Sequence, residues 1–184
     1  MSLRRGFKAE ANRVAREVRR ELGVGAAAPL DPWNLAAHLG IPVEKLSSMK
    51  RDAPEAVKQF TRRDREAFSA VTIFSGYKRL IVVNDAHSRA RQASSIAHEL
   101  GHSLLWHDPA PALDANATRE WNAQQEDEAQ WLAGALLISE EAALTIARSK
   151  LSLAAAATSY GVSVDMIRGR VNVTGAHRRY HSKP

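Results

Sequence analysis

The stretch SSIAHELGHSLLWH, residues 94–107, holds His98 and His102 four positions apart, with Glu99 directly after the first. On an α-helix each residue turns about 100°, so side chains four apart return to within about 40° of each other, one turn apart on one face. Two imidazoles placed in this way can share a metal ion. Glu99 projects to one side, where it can take a proton from water without being a ligand. These are the working parts of an H-E-x-x-H zinc hydrolase. The plainer alternative is one satisfied core histidine and one exposed one. Against it, two histidines and a glutamate among apolar helix neighbours are expensive to bury without a purpose. Gly101 weakens the same helix relative to alanine, and its missing side chain lets another backbone or a substrate come close.

Catalytic zinc generally has three protein ligands and one open position. The chain has no cysteine, so the third ligand must be His, Asp or Glu. His107 lies five residues past His102, about 140° around an ideal helix. His38, His87, His177 and His181 have no supporting pattern. The acidic run Glu126-Asp127-Glu128 opens a second helix one loop downstream. Glu126 shares a face with Ala129, Ala133 and Leu137, and small residues let two helices approach closely enough to deliver it to the metal. Glu128 shares a face with Leu132 and Ala135 and competes for the same role. The alternative for both is a charged first turn favoured by the helix dipole.

These residues need elements to position them. Residues 7–22 have the helical spacing of an amphipathic helix with an Arg-rich outer face, stopped by Gly23. Asp31, Pro32 and Gly40 mark both ends of a short helix, and 41–46 reads as a strand. Residues 47–67 read as a mostly exposed connection with a short element near 55–60. Two β-rich runs, 70–74 and 79–83, flank Ser75-Gly76-Tyr77-Lys78 as a hairpin. A helix follows over 88–106, closed by Pro109 and Pro111, then a loop to about 120. Asn122 and Gln125 are spaced like a capping box at the start of the next helix, and further helices are expected at 139–149, 152–160 and 163–172.

Composition bounds the rest. With 184 residues, 45% hydrophobic and 25% charged, the chain suits one soluble domain or one with a small appendage. The absence of cysteine excludes disulfides, a thiol nucleophile and thiolate metal clusters. The N-terminus lacks the apolar core of a signal peptide and nothing approaches membrane-spanning length, so a cytoplasmic protein with no membrane contact is expected. The net charge is +6, with basic clusters at 4–5, 19–20 and 177–183. Such termini are candidates for weak nucleic-acid contact, against the alternative of a solvated face and a loose tail.

IAHELGHSLLWH followed by EDEAQWLAGALLIS resembles the ImmA/IrrE family of zinc metallopeptidases. IVVN at 81–84, HELGH at 98–102, EDEA at 126–129, Ala133, Leu136 and Leu137 all match its pattern. Leu132 replaces the family's aromatic and Ser139 its proline, departures that concern packing and the helix end. Weaker likeness extends to PLDPWNLAAHLGIPVE and YGVSVDMIRGRV. The resemblance implies an α+β fold with a zincin-like core, a small, mostly antiparallel sheet packed on the HExxH helix and helices around it. It implies one Zn²⁺ per chain, with the third ligand carried onto Glu126 and Glu99 as the catalytic base. It also implies a protein substrate, a helix-turn-helix transcriptional repressor cleaved in mobile-element or stress regulation. His87, Tyr77 and His107 are candidate oxyanion donors. On this reading residues 1–150 form the metallopeptidase domain, and 151–184 form a helical segment with a basic tail packed on it.

A second reading competes. Ala157, Gly161 and Ile167 have the spacing of a helix-turn-helix, and Arg168, Arg170 and the basic tail could meet phosphates. That would make the chain a DNA-binding or repressor-sequestering regulator with a structural or degenerate zinc site. The alternative to it is a plain helical pair covering the core.

Overall fold

The computed structural model describes residues 3–107, 122–149 and 151–176. The expected loop after the HELGH helix, with Pro109 and Pro111, and the basic run at 177–183 lie outside the described residues. Three strands form one mixed sheet in the order β1-β3-β2. Strands β2 (Ala70–Ser75) and β3 (Lys78–Val83) are the expected hairpin, antiparallel over their whole length with Thr72 opposite Ile81. Gly76, with φ 58°, takes the left-handed conformation that the two-residue turn requires. The short β1 (Val43–Lys45) adds a parallel partner on the other side of β3, with Val43 opposite Ile81.

Strand alternation gives the sheet two different faces. Ile81 and Val83 point to the main core, where they meet Ile96 and Leu100 of α4 (Arg89–Leu104). Leu132 and Leu136 of α5 (Ala123–Leu137) join them, with Phe7, Ala11 and Ala15 of α1 (Phe7–Glu21) and Leu35 of α2 (Pro32–His38). Val71, Leu80 and Val82 point the other way. They are covered by Leu46, Met49, Val57, Phe60 and Phe68. Met49, Val57 and Phe60 come from the connection at 47–67 read in the sequence as mostly exposed, and Leu46 and Phe68 flank it. Most of its residues are exposed, but it folds into a 3₁₀ turn (Leu46–Arg51), the short α3 (Pro54–Lys58) and a π-type turn (Gln59–Arg63). Those helices change pitch every few residues, so their apolar positions show neither a period of 2 nor one of 3.6.

The helix ends follow their capping residues. Asp31, Ser88, Asn122, Ser139, Ser152 and Ser163 each accept a backbone N–H in the first turn of the helix they open. The C-terminal helices α6 (Glu140–Arg148), α7 (Leu153–Tyr160) and α8 (Val164–Val173) enclose a second cluster. In it Ala142, Ile146, Ala156, Ile167 and Val171 pack on Ala97, Ala133 and Leu137 of the α4–α5 pair. Two buried arginines tie the layers. Arg19 donates to the Ala28 and Leu136 carbonyls at 2.7 and 2.8 Å, and Arg170 Nε donates to the Ile138 carbonyl at 3.0 Å. No helix among the described residues is long and apolar enough to cross a membrane.

Candidate metal centre

His98 and His102 project from one face of α4, as their spacing requires, and α5 brings Glu126 to them. His98 Nε2 lies 3.1 Å from Glu126 Oε2 and 3.1 Å from His102 Nε2, and His102 Nε2 lies 3.6 Å from Glu126 Oε2. A tetrahedral zinc with bonds of about 2.0–2.1 Å holds its ligand atoms about 3.3 Å apart. The three donor atoms therefore have the spacing of one face of such a tetrahedron. Two imidazole nitrogens and a carboxylate oxygen, each able to offer a lone pair, converge on one point, an arrangement that a cation would satisfy. Burial, then repulsion by His98, lowers the His102 pKa to about 4 against the smaller pull of Glu126. The ring is therefore neutral at pH 7, the form that ligates a metal.

A glycine permits the helix pairing behind this cluster. A Cβ built on Gly101 would sit 2.9 Å from the Ala129 carbonyl oxygen and 3.3 Å from the Ala129 Cα. Gly101 is one residue before His102, and Ala129 is three after Glu126, on the same face. The close approach that the sequence allows at Gly101 is thus to the backbone of α5. The small residues Ala129 and Ala133 are fully buried.

Glu128 points elsewhere. Its side chain is 5% exposed and accepts from Gln124 Nε2 at 3.1 Å and Arg4 Nε at 3.2 Å. It faces His107 Nε2 at 3.6 Å. Glu126 is the acid that joins His98 and His102 in the donor cluster.

His107 does not lie where an ideal helix would put it. α4 ends at Leu104, and Trp106 adopts φ 55°, left-handed for a residue that is not glycine. The Trp106 N–H returns to the Ser103 carbonyl at 3.3 Å and the His107 N–H to the His102 carbonyl at 3.1 Å. This is the Schellman pattern, which sets the residue two past the cap against the one three before it. His107 Nδ1 consequently sits 3.0 Å from His102 Nδ1, with the rings edge to face. Extrapolating 100° per residue beyond the helix end separated the two, and the left-handed Trp106 reunites them.

Glu99 faces the sheet. Thr72 Oγ1 donates to Glu99 Oε2 at 2.6 Å, from the face of β2 that looks onto α4. Sequence reading missed Thr72. The available signal was its place in the strand: a polar residue opposite the core residue Ile81, on an inward-facing position. Of the candidate oxyanion donors, His87 is buried with Nε2 against the Phe68 carbonyl at 3.1 Å, and Tyr77 is fully exposed in the hairpin turn. His107 is engaged by His102 and Glu128. His38 sits at the surface, 3.5 Å from Glu21.

The helical pair α7–α8 has the turn that its spacing predicts: Ala157 and Ile167 are buried, and Gly161 ends α7 at φ 65°. Arg168 is exposed and paired with Asp165. Arg170 turns inward, bonded to the Ile138 carbonyl and lying over the Trp131 ring with its guanidinium carbon 5.5 Å from the centroid.

A small sheet packed on a helix that presents H-E-x-x-H, with an acid of the next helix beside both histidines, defines the metallopeptidase class. The chain belongs to the IrrE N-terminal-like peptidase family, whose model matches residues 36–172, most of its length. This bears out the ImmA/IrrE resemblance and the zincin-like α+β fold expected from it. A comparison with curated proteins finds no match.

Proposed function

We propose that this metallopeptidase is a zinc-dependent endopeptidase that binds one Zn²⁺ per chain through His98, His102 and Glu126. The observation that carries the proposal is the convergence of those three donor atoms at 3.1–3.6 Å. Bound Zn²⁺ would supply Lewis acidity, lowering the pKa of water toward about 7 and polarising a scissile carbonyl. The protein's own residues do the rest. The His98 and His102 imidazoles and the Glu126 carboxylate would hold the ion. Glu99, adjacent to a ligand but oriented by Thr72, accepts the proton of the attacking water and delivers it to the leaving amine.

The family resemblance supports a helix-turn-helix transcriptional repressor as the substrate, cleaved in the cytoplasm as part of mobile-element or stress regulation. Residues 1–150 carry the peptidase on this reading, and the helices after 150 brace its α4–α5 pair. The inward turn of Arg170 and the pairing of Arg168 with Asp165 argue against phosphate binding by α8, and with Arg19 buried and Arg4 held by Glu10 and Glu128 the DNA-binding alternative is left chiefly with the basic run at 177–183.

The test is Glu99→Gln. The amide keeps the shape and leaves zinc occupancy intact, but it cannot take the proton. Cleavage of the candidate repressor, mixed with the enzyme and resolved by size, should slow by about 10²–10⁴-fold. Cleavage at the wild-type rate would remove Glu99 from the mechanism.

A further inference from the structure

The two candidate ligand histidines differ behind the metal cluster. His98 Nδ1 is buried and has no hydrogen-bond partner among the described residues. His102 Nδ1 is 3.0 Å from His107 Nδ1. His107 is 8% exposed at its side chain, and its other nitrogen faces Glu128, which is 5% exposed and held by Arg4 and Gln124. Proton positions along this row are fixed from both ends. At one end His102 must present a bare Nε2 to a metal, so its proton sits on Nδ1 and is donated to a bare His107 Nδ1. The His107 proton is then on Nε2, directed toward a carboxylate that can only accept. The strained left-handed Trp106 is the backbone feature that folds His107 back into this row.

We propose that His107 and Glu128 are positioning residues for the metal site, fixing the tautomer and ring orientation of His102, with Arg4 and Gln124 anchoring the carboxylate. The inference rests on His98, His102 and Glu126 being the zinc ligands. Partners of this kind behind a ligand typically carry 10- to 100-fold in metal affinity. Glu128→Gln has a distinctive consequence. If the new amide's oxygen serves the Arg4 and Gln124 donors, its NH₂ faces His107 Nε2. That demands a lone pair there, moves the His107 proton to Nδ1, and forces the His102 proton onto Nε2, where the metal belongs.

The test is zinc affinity of the full chain by competition with a chromogenic chelator, with circular dichroism and the melting temperature of the metal-free protein as folding controls. His107→Ala should weaken zinc about 10- to 100-fold. His107→Asn, whose side-chain oxygen can accept in place of Nδ1, should recover most of that loss. Glu128→Gln should weaken zinc about tenfold with little change in the metal-free melting temperature. In the zinc-loaded wild type, ¹⁵N spectra of the histidine rings should place the proton of His107 on Nε2. A folded His107→Ala that binds zinc within about twofold of wild type overturns the inference, and so does a His107 proton on Nδ1. If His107→Ala does not fold, Glu128→Gln and the ¹⁵N spectra decide. Loss of the underlying ligand assignment looks different: the wild type then binds no stoichiometric zinc, or His98→Ala still does.

Discussion

Replacing Gly101 by alanine sets two local effects against each other, and the structure says which prevails. Helix propensity favours the change by about 1 kcal/mol. The new Cβ, however, would stand 2.9 Å from the Ala129 carbonyl oxygen, where ordinary carbon–oxygen contact begins at about 3.3 Å. Both neighbours are helix backbone, and neither can rotate aside, so α4 and α5 must separate by roughly 0.4 Å. Overpacking of this kind costs about 1–3 kcal/mol, and against backbone the upper part of that range applies. The net loss is about 1–2 kcal/mol, a drop of about 3–6 °C in melting temperature for a chain of this size. Glu126 lies one turn from Ala129 and moves with α5. Metal sites tolerate about ±0.2 Å in ligand distance, so zinc affinity should fall about tenfold or more. Gly169 is the control: it lies within α8 with nothing within 4 Å of an added Cβ, so Gly169→Ala should stabilise by up to about 1 kcal/mol. Thermal unfolding of the metal-free proteins and chelator competition with zinc measure both quantities. If Gly101→Ala melts as high as Gly169→Ala and binds zinc like the wild type, the close α4–α5 approach does not position Glu126.

Two further outcomes follow from burial. The His102 pKa, lowered to about 4 in the folded chain from an ordinary 6.5, means that the unfolded chain binds more protons between those values. Stability of the metal-free protein is then fully present above about pH 6.5 and is lost as pH falls toward 4, by up to about 3 kcal/mol from this ring. Burial of His107 lowers its pKa too and adds in the same direction. Melting temperatures of the metal-free protein measured from pH 4 to 7 should show the slope, and His102→Asn should flatten it; an unchanged slope in that variant would contradict the assignment. Asn84 is fully buried, donating to the Phe60 and Phe68 carbonyls at 2.8 and 2.9 Å and accepting from the Ala86 N–H at 3.1 Å. Asn84→Ala leaves the Phe60 carbonyl and the Ala86 N–H without a partner, the Phe68 carbonyl keeping His87, and should cost about 2 kcal/mol in urea unfolding; a loss under about 1 kcal/mol would show that water replaces the amide.

Much of this molecule was legible because its signals are local. The four-residue spacing of His98 and His102, the Asp31-Pro32 helix start and the hairpin around Gly76 each depend on neighbours in sequence. The face shared by Glu126, Ala129 and Ala133 was readable in the same way, and it correctly anticipated two helices in near contact. Periodicity alone could not separate Glu126 from Glu128. Both lie on apolar faces of α5, and the choice depends on which face meets α4. The row from His102 through His107 to Glu128 was hidden for another reason. It depends on a positive φ at a tryptophan, where glycine would have been the signal. Thr72 was hidden because strand register and sheet packing, not sequence distance, place it against Glu99. The cover over the outer sheet face was missed because a 3₁₀ turn, an α-turn and a π-turn in succession leave no single period to detect.

The most direct test of the proposed metal centre is zinc content per chain, measured by elemental analysis after equilibration with excess zinc and removal of the unbound metal, for the wild type, Glu126→Gln and Glu128→Gln. The proposal predicts one zinc in the wild type, none retained by Glu126→Gln, and a weaker but still stoichiometric site in Glu128→Gln when zinc is supplied in excess. Zinc retained by Glu126→Gln but absent from Glu128→Gln at the same excess would contradict it.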